Sequence, residues 1–157
     1  MMRTGIGYDI HRLKKGRKFI LGGIEIPSSV GEEAHSDGDV LVHAIIDSML
    51  GAIALGDIGE LFPPSDEKYK DADSMLLLQQ VYGKIKSNGW RLSNIDCVVI
   101  CEKPAILPFR EKIRSSLASI LETDIENIFV KGKTKEGLGP IGKGKAVEAY
   151  AVCLMTK

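Results

Sequence analysis

The sequence predicts an α+β domain in which helices pack on one face of a mixed β-sheet. Three observations lead there. Apolar residues alternate with a period of two in some segments and recur at helical spacing in others. The order runs strands, helix, loop, helix, strand, helix, strand, loop, strand. No internal repeat or linker divides the 157 residues, so one domain spanning 1–157 is expected.

Residues 3–10 alternate as a strand, with Gly5 and Gly7 permitting close approach of another backbone. Residues 18–21 and 24–26, joined by Gly22-Gly23, read as a hairpin, and 27–38 as a turn-rich loop. A helix starts near Asp39: Leu41, Ala44, Ile45, Ser48, Met49, Ala52 and Leu55 fall on one face. Ser36, Asp37 and Asp39 supply capping groups and negative charge at its start, and Gly56 is its expected end. Residues 56–70, with Pro63-Pro64 and little periodicity, form a long loop of the kind that often carries function.

A second helix is predicted over 72–88, with Leu77, Leu78, Val81, Tyr82 and Ile85 as its stripe and Gly89 as its stop. Residues 91–100 read as a strand. A third helix follows Pro108, burying Phe109, Ile113, Leu117, Ile120 and Leu121. Residues 128–131 make a short strand, 132–145 a glycine-rich loop, and 146–155 a last strand.

Composition excludes several function classes. Formal net charge is zero, and the most basic stretch, Lys14-Lys15-Gly16-Arg17-Lys18, is short and reads as a solvated turn, not a nucleic-acid footprint. The longest apolar segment, 40–55, contains His43, Asp47 and Ser48 and is too polar to span a bilayer. No secretory or transit pattern opens the chain, and Cys153 is too far from the end for a prenylation box, so the cytoplasm is the expected location. Cys97, Cys101 and Cys153, an odd number in apolar surroundings, are expected to be buried, reduced thiols.

Chemistry-bearing residues gather in a few places. Asp9 and His11, two apart on a strand, project from the same face. That presents a carboxylate and an imidazole together. His43, on the helix opened by Ala34-His35-Ser36-Asp37-Gly38-Asp39, is a third candidate. An Asp/His/His set leaves a fourth position open, as catalytic zinc sites do. Asp47, one turn past His43, is a candidate to orient its ring; an ordinary surface contact is the alternative.

Near the C-terminus two phosphate motifs fail. Gly132-Lys133-Thr134 lacks the opening glycine of a P-loop, because Asn127 stands there. Gly137-Leu138-Gly139-Pro140-Ile141-Gly142 matches the dinucleotide fingerprint in letters, but the chain ends before the required acidic residue. What remains is a loop with Lys131, Lys133, Thr134, Lys135 and Glu136. Such groups suit phosphate oxygens and a phosphate-bound magnesium ion, or simply solvent.

Taken together, Gly7-Tyr8-Asp9-Ile10-His11, Ala34-His35-Ser36-Asp37-Gly38-Asp39, His43, Leu55-Gly56-Asp57-Ile58-Gly59, Leu61-Phe62-Pro63 and Asp71-Ala72-Asp73-Ser74 closely resemble the 2-C-methyl-D-erythritol 2,4-cyclodiphosphate synthase family in order and spacing. The resemblance covers essentially the whole chain and implies no fused cytidylyltransferase domain. It implies a homotrimer with sheets facing the threefold axis and active sites between subunits. The implied activity is a lyase of non-mevalonate isoprenoid biosynthesis, converting 4-diphosphocytidyl-2-C-methyl-D-erythritol 2-phosphate to the cyclic diphosphate and CMP.

Residue roles follow from the same resemblance. Asp9, His11 and His43 match zinc ligands, with Ile10 beside them at the substrate. His35 and Ser36 match positions at the substrate phosphates, and His35 and Thr134 are implied to stabilise the transition state. Asp57, Ile58 and Gly59 match residues holding the methylerythritol hydroxyls, with Phe62, Pro63, Pro64, Ser65 and Asp66 closing over them. Cys101, Glu102, Lys103, Pro104, Ala105, Ile106 and Leu107 match the segment framing the cytosine. Lys133, Thr134, Lys135 and Glu136 match the phosphate loop, with Glu136 as ligand to magnesium or manganese.

Three positions depart from the family pattern. Pro140 and Lys143 stand where relatives often carry Phe and Arg near the trimer axis, and Ala105 where a lysine often follows the proline. In some relatives the axis holds an isoprenoid diphosphate; Lys143 offers charge there without the two-pronged guanidinium. The zinc triad alone would equally serve a metal-dependent phosphohydrolase.

Overall fold

The computed structural model describes residues 1–157. Five strands form one mixed sheet: β1 (Met2–Lys15), β4 (Val30–Glu33), β5 (Arg91–Ile100), β6 (Ile128–Lys133) and β7 (Ala146–Thr156), in the order β4-β1-β7-β5-β6. Only β5 and β6 run parallel. The hairpin β2 (Phe19–Leu21) and β3 (Ile24–Ile26) forms a separate two-stranded sheet. The helices are α1 (Val40–Ala52), α2 (Ile58–Leu61), α3 (Ser74–Ser87), α4 (Arg110–Ile120) and α5 (Gly139–Gly142). None is long and apolar enough to cross a membrane.

The sheet's two faces differ sharply. On β1 the odd residues face α1, and Gly5 and Gly7 let that helix settle onto the strand. They pair with Cys153 and Ala151 of β7, both buried. Small side chains on two adjacent strands thus form a shallow bed for α1. The helix buries Leu41, Ile45, Met49 and Leu50 completely in one continuous core with Leu78 and Ile85 of α3 and Ile113 and Leu117 of α4. On the opposite face Ile6, Tyr8, Ile10, Phe129, Tyr150 and Val152 are exposed.

The start of α1 is anchored by two buried carboxylates. Asp39 is the N-cap, accepting from Val42 N–H at 3.0 Å and from Gly23 N–H at 2.8 Å. Glu32 accepts from Ile20 N–H at 3.0 Å and Val40 N–H at 3.3 Å. Burial pushes Asp39 up to about 6 and Glu32 well above its ordinary value, the latter reinforced by Asp39.

Several expectations need correction. The 27–38 loop contains strand β4, which pairs with 12–15 of a β1 longer than the alternation indicated. Lys14 and Lys15 are therefore strand residues, and the basic stretch is not simply a solvated turn. Arg17 turns inward, donating to the carbonyls of Glu32, Ala34 and Ser36 at 3.1, 3.4 and 3.1 Å. Helix α1 stops at Ala52, before Gly56, because Ala54 already turns left-handed at φ 55°. The 56–70 and 132–145 loops contain the short helices α2 and α5. All three cysteines are free and buried.

Candidate active site and metal centre

Strand β1 and helix α1 bring three ligand-bearing side chains together. Asp9 and His11 point toward α1, whose first turns carry His43. His11 Nε2 and His43 Nδ1 each lie 3.0 Å from Asp9 Oδ2. The imidazoles meet edge to face, with ring centres 5.1 Å apart. One ligand atom from each residue falls within 4.8 Å of the other two.

The protonation pattern suits a cation. His11 Nδ1 lies 2.7 Å from the carbonyl of Gly38, which only accepts, so that nitrogen carries the hydrogen. A charged His11 donates from Nε2 to Asp9 Oδ2, while a neutral one presents an Nε2 lone pair to the same space. Burial raises the Asp9 carboxyl, but hydrogen bonds with His11 and His43 outweigh it and hold Asp9 well below the usual carboxylate range. Burial likewise disfavours a charged His11, and the Asp9 carboxylate more than reverses that, raising its pKa. One carboxylate and two imidazoles with an open fourth side match the donor set of catalytic zinc. The residues present fit the metal.

A cleft of about 240 Å³ opens over the triad, lined by His11, Ala34, His35, Ser36, His43, Ile58, Gly59, Phe62, Pro64, Tyr69 and Leu77. His35 Nε2 is a buried side-chain atom with no hydrogen-bond partner. A buried nitrogen left without a partner is costly, so it is poised for an oxygen-rich ligand. Ser36 Oγ lies 3.2 Å from His43 Nε2 and accepts from Gly38 N–H. Asp57 caps α2 through Glu60 N–H, while Asp66 caps the turn Glu67–Tyr69 through Lys68 N–H.

Of the expected wall, Asp57, Pro63, Ser65 and Asp66 flank this cleft without lining it. Ile10 points the other way: its side chain is on the open sheet face, and only its N–H reaches the site, donating to Asp9 Oδ1 at 2.8 Å. Tyr69 and Leu77 were not anticipated. Tyr69 meets Phe62 edge to face at 5.1 Å; an aromatic in an irregular segment was the available signal. Asp47 does not touch His43. Its carboxylate accepts from Ile58 N–H at 2.8 Å, fixing α2 against α1.

A second cleft, about 280 Å³, is lined by Cys101, Glu102, Pro104, Ala105, Ile106, Leu107, Arg110, Gly132, Lys133 and Thr134. The sequence missed Arg110 and Gly132. A β-carbon at Gly132 would stand 2.9 Å from that of Ile106, so the glycine allows the two walls to meet. Lys103, Lys135 and Glu136 lie beside this cleft, and Lys143 follows α5, exposed. Glu102 accepts from Lys135 N–H at 2.7 Å and Gly137 N–H at 3.3 Å, tying one wall to the 133–137 loop. Within that loop Thr134 Oγ donates to Glu136 Oε1 at 2.9 Å. The two clefts share no lining residue.

Known proteins resemble this chain over nearly its whole length. Residues 2–156 match the family model described as the YgbB family. The chain is 60% identical over 154 residues to the 2-C-methyl-D-erythritol 2,4-cyclodiphosphate synthase of Treponema denticola, covering 98% of this chain and 96% of that one. It is 54% identical to the protein of the same name from Carboxydothermus hydrogenoformans, covering 97% and 93%. Among solved structures it resembles the bifunctional IspDF of Campylobacter jejuni (TM-score 0.95, 41% identity), covering 99% of this chain but only 42% of that longer one. It also resembles a Plasmodium falciparum IspF in complex with CDP (TM-score 0.86, 38% identity, 98% and 95% covered).

Proposed function

This chain belongs to the YgbB family, and from that premise we propose that it closes the diphosphate ring of 2-C-methyl-D-erythritol 2,4-cyclodiphosphate, releasing CMP from the cytidyl 2-phosphate precursor, in non-mevalonate isoprenoid biosynthesis. The observation that carries the reading is the convergence of Asp9, His11 and His43 at the floor of a cleft, beside the unpartnered nitrogen of His35.

Asp9, His11 and His43 would hold zinc, which supplies Lewis acidity toward a phosphate oxygen. Glu136, exposed on a loop with two carboxylate oxygens, suits magnesium or manganese, which neutralises diphosphate charge. The remaining work falls to the chain's own groups. His35 Nε2 and Ser36 Oγ face the position of the phosphates and hold them by hydrogen bonds. The 57–59 turn offers Asp57 and the backbone of Ile58 and Gly59 to the polyol hydroxyls. Phe62 and Pro64 shed water from that end, while Pro63, Ser65 and Asp66 continue the covering loop. Thr134 with Lys133 and Lys135 offers a hydroxyl and positive charge to the diphosphate, and 101–107 frames the base.

The nucleophile is tethered to its target, so positioning accounts for much of the acceleration. The attacking phosphate oxygen is ionised at neutral pH and needs no general base. That accords with the absence of an activated nucleophile: Cys97 and Cys101 are buried thiols, the latter pushed up to about 12 by desolvation.

The two clefts lie on one chain without sharing a residue, and the sheet leaves an apolar face uncovered. Both features support a homotrimer whose sheets face the threefold axis, with the zinc cleft of one subunit completed by the nucleotide cleft of its neighbour.

The test is direct. Purified protein is incubated with the cytidyl substrate, with and without chelator, and the products are read by phosphorus NMR. Cyclic diphosphate and CMP, lost on chelation, are expected. Release of inorganic phosphate instead would mark a metal-dependent phosphohydrolase and overturn the proposal.

A further inference from the structure

The motif Asp71-Ala72-Asp73-Ser74 has no part in the chemistry described so far. In the fold it lies along the loop that carries His35. Asp71 N–H donates to the His35 carbonyl at 2.8 Å, and Asp37 N–H to the Ala72 carbonyl at 3.0 Å. Asp37 closes the arrangement with its carboxylate: Oδ2 accepts from Ser74 N–H at 3.1 Å and Oδ1 from the Ser74 hydroxyl at 2.5 Å. Ser74 is fully buried, and its Oγ lies 2.9 Å from His43 Nε2.

A hydroxyl has one hydrogen, and here Asp37 takes it. The Oγ facing His43 is therefore an acceptor, which requires the imidazole hydrogen to sit on Nε2. In the neutral ring the lone pair then belongs to Nδ1, the atom that faces Asp9 and would face a metal. Ser36 Oγ, 3.2 Å from the same Nε2, sets no tautomer alone, because no acidic side chain claims its hydrogen.

We infer that Ser74, backed by Asp37, is a positioning pair for His43, a carboxylate–hydroxyl–imidazole chain that holds the ring in its metal-ligating tautomer and orientation. The inference rests on the metal reading of Asp9, His11 and His43. In many metal sites a carboxylate or carbonyl orients the ligand histidine directly; here the carboxylate acts through one buried hydroxyl. Asp37→Asn should break the chain in either amide orientation. Oδ1 also accepts from Asp39 N–H at 3.2 Å, so an asparagine leaves one backbone donor unmet, and its uncharged amide no longer holds the serine hydrogen away from His43 Nε2.

The experiment uses the full chain loaded with zinc and challenged with graded chelator. Ser74→Ala and Asp37→Asn should each retain zinc about 10–100-fold less tightly than the native protein. Nitrogen-15 NMR of histidine-labelled, metal-stripped protein, read at a pH where the ring is neutral, should show His43 protonated at Nε2 in the native chain and shifted toward Nδ1–H in both variants. Asp73→Ala separates positioning from helix stability: it removes the α3 N-cap bond to Met75 N–H without touching His43. It should lower the melting temperature and leave zinc retention native. Native-like zinc retention with an unchanged nitrogen-15 pattern in Ser74→Ala would overturn the inference. Should Ser74→Ala not fold, Asp37→Asn carries the same decision. Asp9→Ala guards the premise: if it too keeps zinc like the native chain, the metal reading fails, whereas loss in Asp9→Ala with retention in Ser74→Ala removes only the positioning pair.

Discussion

Gly7 lies directly beneath the carbonyl of Ala44, so close that a β-carbon there would stand 1.8 Å from that oxygen. Gly5 stands in the same relation to Ser48, at 1.9 Å. Two bare positions on β1 therefore set the height of α1 above the sheet, and with it the distance from His43 to Asp9. Gly7→Ala should lift the helix, destabilising the fold by about 3 kcal/mol or more, since the obstacle is backbone and cannot rotate away. Urea unfolding measures that loss, and zinc retention should fall with it. Gly51→Ala on the same helix meets nothing within 4 Å and should instead gain about 0.5–1 kcal/mol from reduced backbone entropy.

His43→Ala should abolish zinc binding and turnover while leaving the fold intact. The residue is buried but sits at the edge of the core, so truncation removes a ligand and one hydrogen bond to Ser74 Oγ, whose hydroxyl keeps Asp37, at a cost of about 1 kcal/mol. Metal content, circular dichroism and product formation check the three parts separately. Full activity in metal-depleted variant protein would contradict the assignment.

Most of this architecture is legible from periodicity. β5 has the predicted limits, and α1, α3, α4 and β7 differ at their ends by a few residues. What was hidden is informative. Strand β4 contains Gly31 and a buried Glu32, neither a strand signal; its pairing comes from β1, whose last residues are lysines. Asp9, His11 and His43 were nameable because a two-residue strand spacing and a capped helix constrain direction. Ser74 and Arg17 act through backbone and hydroxyl groups across 31 and 19 residues of chain, to His43 and Ser36, and no local pattern records such contacts.

Glu136 and Glu102 should separate by phenotype. Glu136→Gln removes the charge that would hold magnesium, so activity should need a much higher magnesium concentration while zinc remains bound. Glu102→Ala leaves Glu136 in place but frees the Lys135 and Gly137 amides it accepts from. It should raise KM for the cytidyl substrate about tenfold by loosening the loop, with Glu102→Gln restoring much of the loss through its remaining carbonyl. Unchanged magnesium titration in Glu136→Gln would remove that residue from its role.

Asp39 gives a pH dependence of defined sign. Its carboxyl titrates at about 6 in the fold, because burial disfavours the charge, against 3.8 for the free group. Between those values the folded chain holds the proton and the unfolded chain releases it, so stability falls as pH rises from about 4 to about 6. The loss amounts to about 3 kcal/mol. Asp39→Asn cannot titrate. The stability difference, native minus variant, should therefore shrink or reverse by that amount across the window, with Glu32, which Asp39 also raises, titrating above its ordinary range. Denaturant unfolding of both proteins from pH 4 to 7 reads the difference directly, and a flat line throughout would contradict the origin in Asp39.

The open sheet face is where the proposed assembly would form. Ile6 and Val152 are register partners, 69% and 48% exposed, beside Tyr8 and Tyr150, whose rings lie 4.8 Å apart. A contiguous apolar patch of this kind across paired strands marks an interaction surface. Val152→Lys places a charge at its centre. If the face joins subunits, sedimentation should show the native trimer reduced to single chains, since three symmetry-related lysines would meet with no counter-charge of their own. Turnover should fall to background, because the nucleotide cleft of a neighbour is no longer beside the zinc cleft. Zinc content per chain should stay unchanged, as Asp9, His11 and His43 lie on the other side of the sheet. A native protein that sediments as a single chain, or a fully active Val152→Lys monomer, would end the shared-site reading.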